Sequence, residues 1–136
     1  MMQLKEFTAD DYETCAQWWS GHGWEPVPAV VLPKLGMMVV DDEAPICAAW
    51  LYMDNSVGVS MLEWLVTNPD VSPMQTARAI KTLVAFMSDR AKEMNYGVML
   101  TTCRQPSLAR MYEKSGFIKT DEGVTHLLKM VKKEEQ

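Results

Sequence analysis

The chain has 136 residues, of which 48% are hydrophobic and 23% charged, and its 13 Lys and Arg against 18 Asp and Glu give a formal net charge of −5. This composition predicts a single folded domain and excludes a mainly disordered chain. An acidic chain without a Lys/Arg cluster offers no surface for nucleic acid, no apolar stretch approaches the ~20 residues that cross a bilayer, and the N-terminal residues lack the apolar core of a secretion signal. We therefore expect a cytoplasmic protein without nucleic-acid or membrane partners.

The three cysteines are odd in number and widely spaced, which favours free, reduced, buried thiols over a disulfide framework. They are Cys15, Cys47 and Cys103. Only His22 and His126 could join them as metal ligands, and no spacing presents two ligands together. We therefore expect no metal site.

The first half of the chain is predicted to form a strand, a helix and an antiparallel meander. The strand covers residues 3–7, and Thr8 then caps a helix whose buried face has the helical spacing Tyr12, Cys15, Ala16, Trp19. An irregular aromatic stretch leads to strands at residues 37–40, 45–53 and 57–67. Because both parities of these strands are mostly apolar, we expect a sheet that is covered on both faces.

The clearest helix signal begins at Ser72, which combines an N-cap serine with Pro73 at the first helical position and Gln75 three residues after the cap. Apolar residues keep helical spacing as far as Met94, and residues 98–103 follow as a strand. A strand, helix, strand unit predicts a right-handed crossover between two parallel strands.

The chain is predicted to end with a helix and a hairpin. The helix covers residues 106–115, and the hairpin pairs residues 117–120 with residues 124–130. These elements predict one domain over residues 1–131, with a solvated tail at residues 132–136.

Two segments resemble the GNAT acetyltransferase superfamily. The sequence QPSLARMYEKSGF at residues 105–117 is similar to the family motif Asn-x-x-Ala-x-x-x-Tyr-Glu-Lys-x-Gly-Phe, with Gln105 and Leu108 as departures. The sequence LEWLVTNP at residues 62–69 resembles the strand before the family's coenzyme-binding loop. The order of elements matches over nearly the whole chain, and the small size resembles family members encoded by bacteria and phages. The resemblance implies an α+β fold with a mixed sheet of about six or seven strands and helices on both faces.

The resemblance also implies acetyl-CoA as cofactor. The family loop reads Arg/Gln-x-x-Gly-x-Gly/Ala, and Ser72, Gln75 and Ala77 occupy its three defining positions, of which only Ala77 conforms. We expect backbone amides from Met74 to Ala79 at the positive helix end to hold the pyrophosphate. The residues expected to contact the coenzyme are Leu65, Thr67, Met74, Gln75, Thr76, Ala77, Arg78, Gln105 and Ser107.

Two residues are predicted to carry the chemistry. Glu63 has apolar neighbours that would raise the pKa of its carboxyl toward neutral pH and make it a general base; the alternatives are a solvated or arginine-paired glutamate, or a water as base. Tyr112 matches the family tyrosine whose hydroxyl acts as general acid, whereas its helical spacing with Leu108 and Met111 also suits a core aromatic.

Aromatic residues are candidates for binding a cationic amine through their ring faces. In the family, such residues cover the acceptor pocket, and here they are Trp24, His22 and Trp50. Trp50 also suits a core position in its strand, and Trp19 belongs to the buried helical face.

The resemblance therefore implies an N-acetyltransferase that transfers acetyl directly to a primary amine of a small molecule or peptide. A homodimer is possible. The alternative is an inactive GNAT-like domain that serves as a binding or structural module, which the divergent loop at Ser72 and Gln75 favours.

Overall fold

The framework of the molecule is one five-stranded sheet, seen in a computed structural model that describes residues 1–132. The strands follow chain order across the sheet, and the first four are antiparallel to their neighbours. The fifth is parallel to the fourth, which confirms that the predicted strand, helix, strand unit joins two parallel strands. Their bounds are β1 Met2–Glu6, β2 Gly36–Asp41, β3 Ala44–Met53, β4 Val59–Thr67 and β5 Val98–Thr101.

Three α-helices complete the fold: α1 Tyr12–Gly21, α2 Pro73–Glu93 and α3 Pro106–Lys114. Short 3₁₀ turns at Ala9–Asp11 and Ala29–Val31 flank the segment that contains α1. The start of α2 is as predicted, since the Ser72 Oγ accepts a hydrogen bond from the Gln75 N–H (3.2 Å) and Pro73 is the first helical residue. No helix of the described residues is both long and apolar enough to cross a membrane.

The sheet is buried on both faces, which confirms the prediction from strand parity. One core cluster lies between the sheet and α2 and includes Leu83 and Met87, and a second lies between the sheet and α1 and includes Trp18 and Trp19. Consequently all six residues from Ile46 to Leu51 have no exposed surface. Cys15 and Cys47 belong to these cores, and burial raises the pKa of both thiols to about 12. All three cysteines are free, and Cys103 is half-buried.

The prediction of a closing hairpin is wrong. Within the described residues the sheet has five strands, and no residue from 118 to 132 makes a backbone hydrogen bond to another described residue. Apolar alternation gives a segment strand propensity, but a two-stranded hairpin is only marginally stable unless further strands or a helix pack against it. Residue 132 of the predicted tail is exposed, and residues 133–136 lie outside the described part.

The structure also corrects two details of α2. A serine cap with glutamine three residues later predicts a capping box, in which the glutamine side chain bonds back to the cap backbone; here the Gln75 side chain instead donates to Asp41 Oδ2 (3.0 Å). The apolar helical spacing in the sequence predicts a buried face that begins at Ala77, but Ala77 is exposed and Ala79 takes the buried position.

Candidate active site

A cleft opens where β4 and β5 separate. Their pairing ends at Leu62 and Thr101, although β4 continues to Thr67, so residues 63–67 have no β5 partner. Trp64 has φ of 62°, and the β3–β4 register shifts beside it, which is the geometry of a bulge. The resulting cavity is about 400 Å³ in volume.

Six parts of the chain form the walls of the cavity: the end of α1 with the segment after it, the unpaired end of β4 with the loop that follows, the first turns of α2, the connection from β5 to α3, α3 itself, and His126. A cavity of this size suits a small molecule or the arm of a larger one.

Glu63 lies on the wall of this cavity and is only 8% exposed. Burial raises the pKa of its carboxyl to about 7, while the Thr102 hydroxyl and backbone N–H partly oppose the rise. A carboxyl with this pKa can exchange a proton near neutral pH, as a general base must.

Tyr112 lies below the cavity and not on its wall. It is 3% exposed, belongs to the core beneath α2 and packs on Phe117 with ring centroids 5.1 Å apart. Burial raises the pKa of its phenol, against the opposing effect of the Thr101 hydroxyl. Tyr112 is therefore a core aromatic residue, the alternative that its helical spacing predicted. Its hydroxyl lies close to Thr101, the last β5 residue that pairs with β4.

Two of the three aromatic candidates line the cavity. The His22 Nε2 donates to the Thr67 carbonyl oxygen (3.0 Å), and its ring stacks on Trp24 with centroids 5.0 Å apart. The Arg104 guanidinium lies 4.9 Å from the centre of the Trp24 ring. These contacts join the segment after α1 to both β4 and the β5–α3 connection.

Trp50 does not meet the prediction of a substrate contact. It has no exposed surface and lies between Phe7 and Trp19, with ring centroids 5.0 and 5.6 Å away. The reason is its place in the centre of β3, where helices cover both faces of the sheet.

Six of the nine residues expected to hold coenzyme line the cavity: Leu65, Thr67, Thr76, Ala77, Gln105 and Ser107. The other three, Met74, Gln75 and Arg78, do not. The contact with Asp41 directs the Gln75 side chain elsewhere.

The first turn of α2 presents fewer amides than the sequence suggested. Pro73 has no N–H, the Gln75 N–H donates to the Ser72 Oγ, and the Thr76 N–H donates to the Ser72 carbonyl oxygen. Met74 alone in this turn has an N–H without a partner among residues 1–132. A pyrophosphate would therefore find one free amide here in place of the expected series.

Several cavity residues were missed from the sequence. They include Trp64, Thr102, Arg104 and His126, whose ring packs on Trp64 with centroids 5.4 Å apart. Trp64 follows Glu63 directly on β4, whereas Thr102, Arg104 and His126 reach the cleft only through the path of the chain after β5. Across residues 1–132, no group of three His, Cys, Asp or Glu side chains is arranged to hold a metal ion.

The Gln75 contact can be tested with two variants. We expect Gln75→Ala to lower the free energy of unfolding by about 1 kcal/mol, because it removes the hydrogen bond to Asp41. Gln75→Gly should lower it further, since glycine is a poor helix former. Because the side chain does not line the cavity, neither variant should change acetyl-CoA affinity in calorimetry; tighter binding by the glycine variant would show that the glutamine obstructs the coenzyme.

The comparisons with known proteins identify the fold. No protein-family model and no curated protein matches the sequence. A transcriptional regulator from Bacillus halodurans C-125 aligns over 94% of this chain and 100% of its own, with TM-score 0.74 and 18% identity. The ribosomal-protein-S18-alanine N-acetyltransferase from Escherichia coli aligns over 89% and 80%, with TM-score 0.73 and 14% identity. An acetyltransferase of the GNAT family from Streptococcus pneumoniae aligns over 96% and 100%, with TM-score 0.62 and 14% identity.

The chain is thus similar in architecture to solved N-acetyltransferases over nearly its whole length. It has the GNAT fold, with a mixed sheet of five strands in the described residues.

Proposed function

We propose that the protein is an acetyl-CoA-dependent N-acetyltransferase that transfers acetyl directly to a primary amine of a small molecule or peptide. The observation that carries the proposal is the position of Glu63, a buried carboxyl with a pKa near neutral, on the wall of the cavity between the separated strands. Fold alone does not imply function, but a proton acceptor inside this cleft supplies the group that amine acylation needs.

The cleft suits the arm of the coenzyme better than its phosphates. Residues 63–67 of β4 have no β5 strand beside them, so their backbone groups on that side are open. An extended molecule that carries amides could form hydrogen bonds with them, as an added strand would. Bound acetyl-CoA would supply the acetyl thioester. Since the first turn of α2 offers only the Met74 N–H, we expect modest affinity.

Glu63 would accept the proton of the acceptor ammonium at a carboxylate oxygen, directly or through a water. Trp64 lines the same cavity, and the face of its ring can stabilise a cationic amine before it loses that proton. Trp24 lines the cavity too, but its ring already holds the Arg104 guanidinium. Burial of Glu63 places its pKa where both protonation states are populated near pH 7.

A second candidate is an inactive GNAT-like domain that binds or supports a partner. It is favoured by the buried hydroxyl of Tyr112 and by the single free amide at the start of α2. Coenzyme binding and turnover separate the two candidates.

The test of the proposal is thermal unfolding with and without acetyl-CoA. At ~100 times the dissociation constant, coenzyme should add ~2.7 kcal/mol to the free energy of unfolding. In a second assay, transfer of acetyl to members of a panel of primary amines should release CoA thiol. The variant Ala77→Glu places a carboxylate on the cavity wall and should abolish the shift, whereas Ala85→Glu, on an exposed position of the same helix, should retain it. If millimolar acetyl-CoA does not raise the unfolding temperature, the proposal that the protein is an acetyl-CoA-dependent enzyme is refuted.

The role of Tyr112 is tested by Tyr112→Phe. The hydroxyl lies beneath the cavity wall, beside Thr101, so we expect little change in turnover or in acetyl-CoA affinity; a marked fall in turnover alone would instead show that the hydroxyl acts when thiolate charge develops. Circular dichroism should confirm that the fold is kept, since the ring is retained in the core. Equal turnover in the two proteins would leave Tyr112 a packing residue.

A further inference from the structure

Arg104 is the one arginine or lysine on the cavity wall within residues 1–132. The same wall carries two carboxylates, those of Glu25 and Glu63. Arg104 nevertheless forms an ion pair with neither of them, nor with any other acidic group of the described chain. Because an arginine is always protonated, the cavity holds a permanent positive charge that these residues leave unpaired.

The Arg104 side chain is held in place by an aromatic ring. Its guanidinium carbon lies 4.9 Å from the centre of the Trp24 ring, and that ring stacks on His22 with centroids 5.0 Å apart. The hydrogen bond from His22 to the Thr67 carbonyl oxygen (3.0 Å) ties this stack to the end of β4. A guanidinium that lies over a ring contacts it through its face and keeps its N–H groups at its edge. Such an edge can hold a carboxylate through two parallel hydrogen bonds.

The positions of α1 and α2 indicate which anion Arg104 meets. The phosphates of acetyl-CoA are expected at the start of α2, and α2 packs on one face of the sheet. Trp24 belongs to the cluster that packs with α1 on the other face. Direct transfer requires coenzyme and acceptor to meet in the cleft, so a coenzyme held at α2 leaves the α1 side to the acceptor. Arg104 is therefore held on the acceptor side.

Glu63 and Arg104 contact the same cavity of about 400 Å³, so a small acceptor meets both side chains. In the proposed reaction the Glu63 carboxylate receives a proton from the amine. The Arg104 guanidinium is then available to an acid group elsewhere in the same acceptor molecule.

We propose that the acceptor is an amine that also carries a carboxylate, such as an amino acid, and that Arg104 binds this carboxylate and determines specificity. The proposal rests on the acetyl transfer proposed above and names the class of its acceptor. The acceptor carboxylate takes no part in the transfer and stays on the product amide. A charge-assisted, two-point contact of this kind discriminates strongly against an analogue that lacks the group.

Acetylation rates of two matched series of amines test the proposal. The first series is glycine, β-alanine and 4-aminobutyrate. The second is methylamine, ethylamine and propylamine, each of which differs from its counterpart only by lacking the carboxyl group. At least one amino acid should have a kcat/KM that is ~10-fold or more above that of its matched alkylamine.

Three variants assign this preference to Arg104. Arg104→Gln should remove it, because the KM for the amino acid should rise by ~10-fold or more relative to that for the alkylamine. Arg104→Lys should keep part of it, since an ammonium group keeps the charge but not the two-point geometry. Arg110→Gln, at an exposed arginine of α3 outside the cavity wall, should behave as wild type.

Calorimetry with the same amino acids at millimolar concentration gives a readout that does not require turnover. Binding that Arg104→Gln abolishes would support the carboxylate site even if no amine is acetylated, a result that would refute only the proposed transfer. Acetylation of both series with equal kcat/KM would overturn the carboxylate site and leave the transferase in place. If Arg104→Gln raises the KM for acetyl-CoA and keeps the preference, Arg104 binds a coenzyme phosphate, and the proposal is overturned. The absence of both binding and acetylation would overturn both proposals.

Discussion

Glu63→Gln should lower the rate of acetyl transfer by ~100-fold or more, because the amide cannot accept the proton of the acceptor amine. The same substitution should stabilise the protein above neutral pH. Burial raises the pKa of Glu63 from 4.5 to about 7 in the folded protein, so between these values the folded state holds a proton that the unfolded state has lost. Wild-type stability therefore falls as pH rises through this window, by about 3 kcal/mol at most.

Urea unfolding at pH 5, 6, 7 and 8 measures this effect. The advantage of Glu63→Gln over wild type should be absent near pH 5 and largest at pH 8, while wild-type turnover should rise with pH up to about 7 as the carboxylate forms. Glu6→Gln, at an exposed glutamate on β1, controls for the loss of a charge and should show neither effect. A parallel pH dependence in wild type and Glu63→Gln would mean that Glu63 does not titrate in this range.

Gly36→Ala should destabilise the fold by about 3 kcal/mol, because there is no room for a methyl group at this position. Gly36 is the first residue of β2 and pairs with Trp50 on β3. A Cβ atom on Gly36 would lie 2.4 Å from Trp50 Nε1 and 3.1 Å from the Cβ of Phe7. Trp50 is fully buried, so its ring cannot move aside without disturbing the packing against Trp19.

Thermal and urea unfolding should show the loss, and Gly97→Ala provides the control. An added Cβ at Gly97 meets no atom within 4 Å, so that change should be nearly neutral. The smaller ring of Trp50→Phe should relieve the contact, so the double variant should be more stable than the sum of the two single losses. If the two losses of stability simply add, the contact between the new Cβ and the Trp50 ring is not what destabilises Gly36→Ala.

The parts of the fold that could be predicted from sequence are those with local causes. The start of α2 followed from Ser72 and Pro73, which act within one turn, and the two-sided burial of β3 followed from its own residues. The closing hairpin could not be decided from its own residues, because a two-stranded hairpin is only marginally stable and depends on what packs against it. The same residues that suit a strand are left exposed.

The candidate site divides in the same way. Glu63 was predicted because its immediate neighbours are apolar, and the structure buries it on the cavity wall. Arg104 and His126 carry no local signal, since their place in the cleft depends on the chain path after β5. Tyr112 was predicted from a motif and Trp50 from its aromatic side chain. Neither signal specifies which elements pack over these positions, and that packing buries both residues.

The three thiols differ in burial, so the reactivity of one of them can show whether a ligand is bound in the cleft. Cys15 and Cys47 are sealed in the two cores, whereas Cys103 is half-buried and lines the cavity. Burial raises the pKa of Cys103, so a thiol reagent should modify it slowly, yet far faster than the other two in the folded protein. The alkylation rate of one native side chain, followed by mass spectrometry, would then report directly when a ligand enters the space between β4 and β5, without a label or an engineered residue.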